Sequence, residues 1–342
     1  MSIDDKPSSQ SAPEPGPDQP ADAPRNSPIV AVSGGTAPLS DIELLDEQKL
    51  ADRPERRVSR GRLVLRRFLR RKLAMLGLIV LVLEILAAYL GPLFTKWNYT
   101  DLDLLNFGSA PGGSHWWGTD AAGHDMFAQT MVATQKSLLV GLIAAVVSTG
   151  LAAIIGSTAG YFGKVVDNTL IWFVNLMMVI PSFLILAILS PRLHNQSFVV
   201  FALLLAAFSW MLTARVVRGL TLSLKEREFV SAARFMGVPA WRIILRHILP
   251  NMASLLIVDV TINVSATILL ETSLSYFGFG IQPPDVSLGT LIGDGTHGPD
   301  PTSQTWLWIY PGMMLIILVL AVNFIGDGLR DALDATSNAE GA

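Results

Sequence analysis

The chain has 342 residues, of which 51% are hydrophobic and 15% charged, with a net charge of −3 and a mean hydropathy of +0.45. A charged share well below the roughly one quarter usual in soluble domains points to lipid contact. With no cysteine, disulfide scaffolds, thiolate metal sites and cysteine nucleophiles are excluded, and so small a net charge gives no reason to expect a nucleic-acid partner.

Residues 1–58 come first, polar and punctuated by prolines from Pro7 to Pro28. Such a segment cannot bury enough apolar surface to offset its chain entropy, so a disordered cytoplasmic tail is expected. No apolar run follows a short basic start, which argues against a signal peptide. Segment 59–95 then joins a basic stretch to a first apolar run, residues 73–94, about 20 residues and long enough to cross the hydrocarbon core as a helix. Further runs lie at 137–161, 168–190, 197–214, 252–277 and 306–325. The expected fold class is therefore an all-α integral membrane protein with six transmembrane helices. One span precedes a core at 137–334, residues 96–136 form an external loop, and 335–342 a C-terminal tail.

Orientation follows from the basic residues. Arg62, Arg66, Arg67, Arg70, Arg71 and Lys72 crowd the start of the first span, so that end is expected in the cytoplasm. An even number of spans then returns the C-terminus to the same side. The segment between the fourth and fifth runs is also basic, with Arg215, Arg218, Lys225, Arg227, Arg234, Arg242 and Arg246, whereas residues 278–305 contain no Lys or Arg. Charge pattern and span count agree.

The segment 221–250 reads as a helix ended by Gly237, then a second helix opened by Pro239. In the second, Trp241, Ile244, Leu245 and Ile248 are expected to form an apolar stripe. Ala232 and Ala233 beside Gly237 would let another protein approach this turn closely.

At these residues the chain resembles the permease subunits of ABC importers, whose EAA-type loop reads Glu-Ala-Ala, three residues, Gly, nine residues, Ile-x-Leu-Pro. Ala232, Ala233, Gly237, Leu249 and Pro250 stand at that spacing, while Ser231 replaces the Glu and His247 the first Ile. Trp117-Gly118-Thr119-Asp120 with Gly123-His124-Asp125 is similar to a segment of dipeptide/oligopeptide permeases, with His124 in place of Arg. Gly160-Tyr-Phe-Gly163, Glu271-Thr-Ser-Leu-Ser-Tyr-Phe-Gly278 and Gly326-Asp-Gly-Leu-Arg-Asp331 occur in the same family's order. The likeness covers about 67–334, within the sequence itself, and is to the C-type member of the permease pair.

The resemblance implies a cytoplasmic coupling helix that receives an ATPase through Glu228, Phe229, Ala232, Ala233, Arg234 and Gly237. It implies a second homologous permease subunit, two ATP-binding subunits, an extracytoplasmic binding protein and a bacterial cytoplasmic-membrane location. Peptide cargo is the expectation, with nickel, glutathione or other small solutes as alternatives. An ATP-independent secondary transporter would explain the spans but not the EAA-type loop. No phosphate-binding loop is present, so the chain is expected to hydrolyse nothing itself.

Polar groups in the spans complete the candidates. Asp259, Asn263 and Thr267 follow an i, i+4 row with Glu271 and either line a water-filled pathway or bond to neighbouring helices in a dry interface. Glu84 reads as neutral or paired with a partner subunit. Pro181 is expected to kink the third span. No two of His115, His124, His194, His247 and His297 share the i, i+4 spacing of a helical metal site. No catalytic residues, metal or cofactor are expected.

Overall fold

A computed structural model describes residues 60–193 and 197–337. The expected tail at 1–58 and His194 lie outside the described residues. Among the latter the chain is helical, with no strand beyond an isolated bridge from Thr119 to Asp125. Helix α1 (Arg60–Phe68) precedes α2 (Lys72–Leu90), which a 3₁₀ turn extends to Leu93. Helix α3 (Met126–Phe162) follows the irregular segment 94–125. Helices α4 (Lys164–Val179) and α5 (Ser182–Leu189) form one pair, α6 (Phe198–Ser209) and α7 (Met211–Leu224) another. Then come α8 (Glu228–Phe235), α9 (Ala240–Ile243) with a π turn over Ile244–Ile248, α10 (Ala253–Tyr276), α11 (Leu288–His297) and α12 (Trp306–Ser337).

Four helices (α2, α3, α10 and α12) are long and apolar enough to cross a membrane, and the two bent pairs raise the number to six. The protein is a multi-pass membrane protein. The pair α4/α5 bends by 76° at Ile180-Pro181. Ile180 is extended, as a residue before proline is driven to be, and Pro181 opens α5. The pair α6/α7 bends by 50° at Trp210, whose indole donates to the Ala207 carbonyl.

Helix α3 is 37 residues long, about 55 Å at 1.5 Å per residue and far more than the hydrocarbon core requires. It begins at Met126, so residues 126–136, read from sequence as loop, are helical. Polar side chains there hid the helix from a hydropathy reading, but each has a partner. The Thr130 hydroxyl donates to the Met126 carbonyl, Gln135 Nε2 to the Ala88 carbonyl of α2 at 2.6 Å, and Lys136 pairs with Asp285.

Most of the other spanning helices pack on α3. Val140 and Ala144 meet α5 and α6 through Leu186, Phe201 and Leu205. Ala133 and Ala145 meet α10, α11 and α12 through Ile268, Leu288 and Leu318. Ala152 meets Val174 of α4 and Ala214 of α7. Small residues permit this, because helices in lipid gain by close van der Waals approach rather than by removing apolar surface from water. A Cβ on Gly160 would stand 2.8 Å from the Arg218 carbonyl oxygen and 2.8 Å from Thr221 Cβ on α7. At the far end of α12, Phe68 and Val64 of α1 pack with Ala332 and Leu329.

Gly160→Val should therefore push α7 off α3 at a cost of about 1–3 kcal/mol, as overpacking does. Gly219→Ala, with open space around it, should cost little. Detergent-denaturation curves of the purified chain check this, and equal midpoints for both variants would contradict the close contact.

Candidate functional site

The segment between α7 and α10 forms a two-helix cap at one end of the bundle. Val230 and Ala233 on α8 are buried against Val217 of α7 and against Ile243, Ile244, Ile248 and Met252 of the returning segment. Helix α8 ends in a Schellman motif. The Gly237 N–H donates to the Arg234 carbonyl and the Val238 N–H to the Ala233 carbonyl, with Gly237 at φ +74° and Val238 packed against the same cluster. Glycine is required there because a side chain resists positive φ.

This geometry separates the two alanines. Ala233 is 2% exposed and seated inside its own chain, whereas Ala232 is exposed. Around Ala232 on the open side of α8 stand Glu228, Phe229, Phe235 and Met236, with Phe235 92% and Met236 76% exposed. The sequence reading omitted Phe235 and Met236. Their signal lay in the helical phase, since residues 228, 229, 232, 235 and 236 fall on one arc. Arg234 leaves that arc and lies over the Tyr161 ring at 5.6 Å. The result is a small residue ringed by large apolar ones on a rigidly capped helix. It suits a helix end seated in another protein's groove.

The returning segment departs from the expected stripe. Ile244 and Ile248 are buried, but Ile243 joins them while Trp241 and Leu245 are exposed. The π turn explains the shift, because one extra residue in a turn rotates the inward face between its two ends. Trp241 rests edge-on to Phe162 with centroids 6.0 Å apart.

The polar row in the spans is bonded within the chain. Asp259 accepts from the Thr149 hydroxyl of α3 at 2.7 Å, the Thr213 hydroxyl of α7 at 2.9 Å and Asn263 Nδ2 at 2.8 Å. One carboxyl thus ties α3, α7 and α10 together. Asp259 and Asn263 stay partly exposed, whereas Thr267 is buried and faces no open space. Glu271, fully buried, accepts from Ser137 at 3.2 Å and Ser275 at 2.5 Å. Ser137 in turn accepts from the first N–H of α11. Glu84 is enclosed by its own chain, and its two oxygens have no partner among the described residues.

At the opposite end, the Trp117–Asp125 segment forms a clamp on the start of α3. Asp125 caps α3 by accepting from the Ala128 N–H at 2.8 Å and also meets His115 Nδ1 at 2.8 Å. His115 Nε2 lies 3.1 Å from Asp103, and Trp97 stacks on the imidazole. Bonds from the Asn106 side chain, the Leu105 N–H and His115 hold the Asp103 carboxyl down to about 2. Thr119 bridges the Ser109 N–H and the Asn106 carbonyl, and Trp117 stacks on Tyr310 of α12. His124, in the place of the family's Arg, pairs with Asp120 at 2.8 Å. Beside this clamp lies a cavity of about 680 Å³, lined among others by Asp120, His124, Gln129, Asp285 and Asp294. Burial, then the nearby Asp120, raises the Asp294 carboxyl. Among the described residues no group of three or more His, Asp or Glu is placed to hold a metal ion.

Comparison with known proteins agrees with this architecture. The model of binding-protein-dependent transport system inner membrane components matches residues 152–337, and that of the N-terminal transmembrane domain of oligopeptide transport permease C matches 59–111. The oligopeptide transport system permease protein OppC of Mycobacterium tuberculosis (strain H37Rv) is 50% identical over 282 residues, 82% of this chain and 96% of its own length. OppC of Haemophilus influenzae is 38% identical over 305 residues, 87% and 97% of the two chains. A chain of the MetNI methionine ABC transporter superposes with a TM-score of 0.47 at 20% identity, covering 61% of this chain and 97% of that one. Two thirds of the chain and more align at half identity, and the chain belongs to the binding-protein-dependent inner membrane transport components, as a permease of the OppC type.

Proposed function

We propose that the chain is the C-type permease subunit of an ATP-driven importer that carries peptides delivered by an extracytoplasmic binding protein. The observation that carries the reading is the open face of α8, where Ala232 sits among Phe229, Phe235 and Met236 on an otherwise membrane-embedded chain without a phosphate loop. Peptide cargo is the reading favoured by the similarity to the oligopeptide permeases of Mycobacterium tuberculosis and Haemophilus influenzae. A second permease, two ATP-binding subunits and the binding protein complete the assembly. Both termini are cytoplasmic, with residues 59–95 an accessory span beside the core at 137–334. Glu228, Phe229, Ala232 and Gly237 receive the ATPase together with Phe235 and Met236, while Ala233 and Arg234 hold α8 to its own chain. Within the spans, the partly exposed edge of Asp259 and Asn263 borders the translocation route, with Thr267 packed behind it.

Orientation is tested by labelling single cysteines, which the cysteine-free chain allows. Ser303→Cys should react from outside and Ser337→Cys from inside. Reaction of both from one side would reject the six-span map.

Ala232→Glu should lower retention of the ATP-binding subunits by about tenfold or more, because an unpaired carboxylate pressed into an apolar contact costs over 1.4 kcal/mol. The chain itself should stay folded, since Ala232 touches no core. Ala233→Glu should instead destabilise the chain. Gly237→Val should add about 1–3 kcal/mol of backbone strain and uncouple hydrolysis from cargo. Co-purification and cargo-stimulated hydrolysis in reconstituted vesicles measure these effects, and normal values for Ala232→Glu would defeat the docking assignment.

Asn263→Leu should leave assembly and basal hydrolysis intact while transport falls. Unchanged uptake by an intact complex would take Asn263 out of the route.

A further inference from the structure

Helix α1 and its turn into α2 carry a cationic collar that the transport reading leaves unused. Val64 and Phe68 fix α1 to the end of α12, where a Cβ on Gly328 would meet the Phe68 ring at 3.2 Å. The opposite arc is exposed. Arg62 and Arg66 lie four residues apart on it, and Leu65 and Leu69, 56% and 50% exposed, lie beside them. After the turn, Arg70 and Lys72 continue the charge and Leu73 begins the exposed apolar stripe of α2.

Among the described residues only Arg71 of this collar has an acidic partner, Asp331 at 3.4 Å. Among the described residues Arg62, Arg66, Arg67, Arg70 and Lys72 have none. Arg67 is half-buried, and its Nη1 is enclosed without an acceptor. The mixture of exposed leucines and arginines at the end of a span fits the boundary where acyl chains meet headgroups. Leucines enter the apolar side, and guanidinium forks face phosphate oxygens.

We propose that α1 and its turn form a binding site for anionic phospholipids, with Arg62, Arg66, Arg67, Arg70 and Lys72 holding the headgroup phosphate and Leu65 and Leu69 seated at the acyl boundary. A cluster of basic residues immediately outside a span is a general means of holding acidic lipid. Here the clamp to α12 fixes its place, so the lipid bridges the accessory span and the core.

Gly61, with no neighbour within 4 Å, accepts a cysteine and a donor fluorophore. The full chain is placed in nanodiscs containing trace acyl-labelled acceptor phosphatidylglycerol or, in parallel, phosphatidylcholine. Both leaflets of a nanodisc have one composition, so the outcome is independent of the topology and coupling readings. Energy transfer should show phosphatidylglycerol enriched at position 61, and Arg62→Gln with Arg66→Gln should lower that enrichment by at least about fivefold, given roughly 1 kcal/mol per basic residue at an anionic surface. Arg62→Lys with Arg66→Lys should preserve most of it. Equal transfer to both lipids overturns the proposal, as does enrichment that survives the glutamine pair. Inorganic phosphate that abolishes enrichment where chloride of equal ionic strength does not would assign the site to a free anion instead. Loss of enrichment in the assembled transporter would assign it to a protein partner.

Discussion

Close approach of backbones along α3 is the constraint on which the rest of the structure depends. Ala133, Ala144, Ala145, Ala152, Gly156 and Gly160 let seven other helices reach the same post. In lipid a bulkier seam would gain nothing from hiding apolar area and would lose dispersion contacts. Polar bonds then select among packings of similar density. Asp259 receives hydroxyls from α3 and α7, and the Asp167 carboxylate receives the Arg218 guanidinium across α4 and α7. Each is a directional tie on a non-directional seam.

The two ends of the bundle are built differently. The end bearing Asp120 and Asp125 is laced by aromatic stacking and by an Asp–His–Asp arrangement around His115, so its loops behave as a fitted lid on the helix ends. The end bearing α8 buries one face and leaves the other bare. A bare apolar face on a helix capped so firmly is suited to receiving force, since little of a push is lost in rearranging the helix itself.

Much of this was legible in the sequence. Six apolar runs mark the spans, Pro181 marks the break in the third, and Gly237 marks the end of α8. What escaped has a common physical cause. The first turns of α3 are polar and satisfied by partners distant in sequence, such as Ala88 and Asp285, so hydropathy alone stops short. The bend at Trp210 carries no proline. Helix α11 is announced only by a capping box of Ser287 and Thr290. The different burial of Ala232 and Ala233, read alike from the sequence, depends on which side of α8 faces Val217, and spacing within a motif does not fix that phase.

The π turn at Ile244–Ile248 has a geometric meaning beyond its local packing. It is an α-helical path with one surplus residue, and one residue is about 100° of rotation. Ahead of the turn the chain is phased to suit α8 and its cap; beyond it, to aim Asp259 at Thr149 and Thr213. The surplus residue therefore works as a phase adjuster between two azimuths that an unbroken helix could not satisfy together. Shortening the turn by one residue would shift the phase with which the chain passes through Met252 into α10, and with it the azimuth at which Asp259 meets its hydroxyl partners.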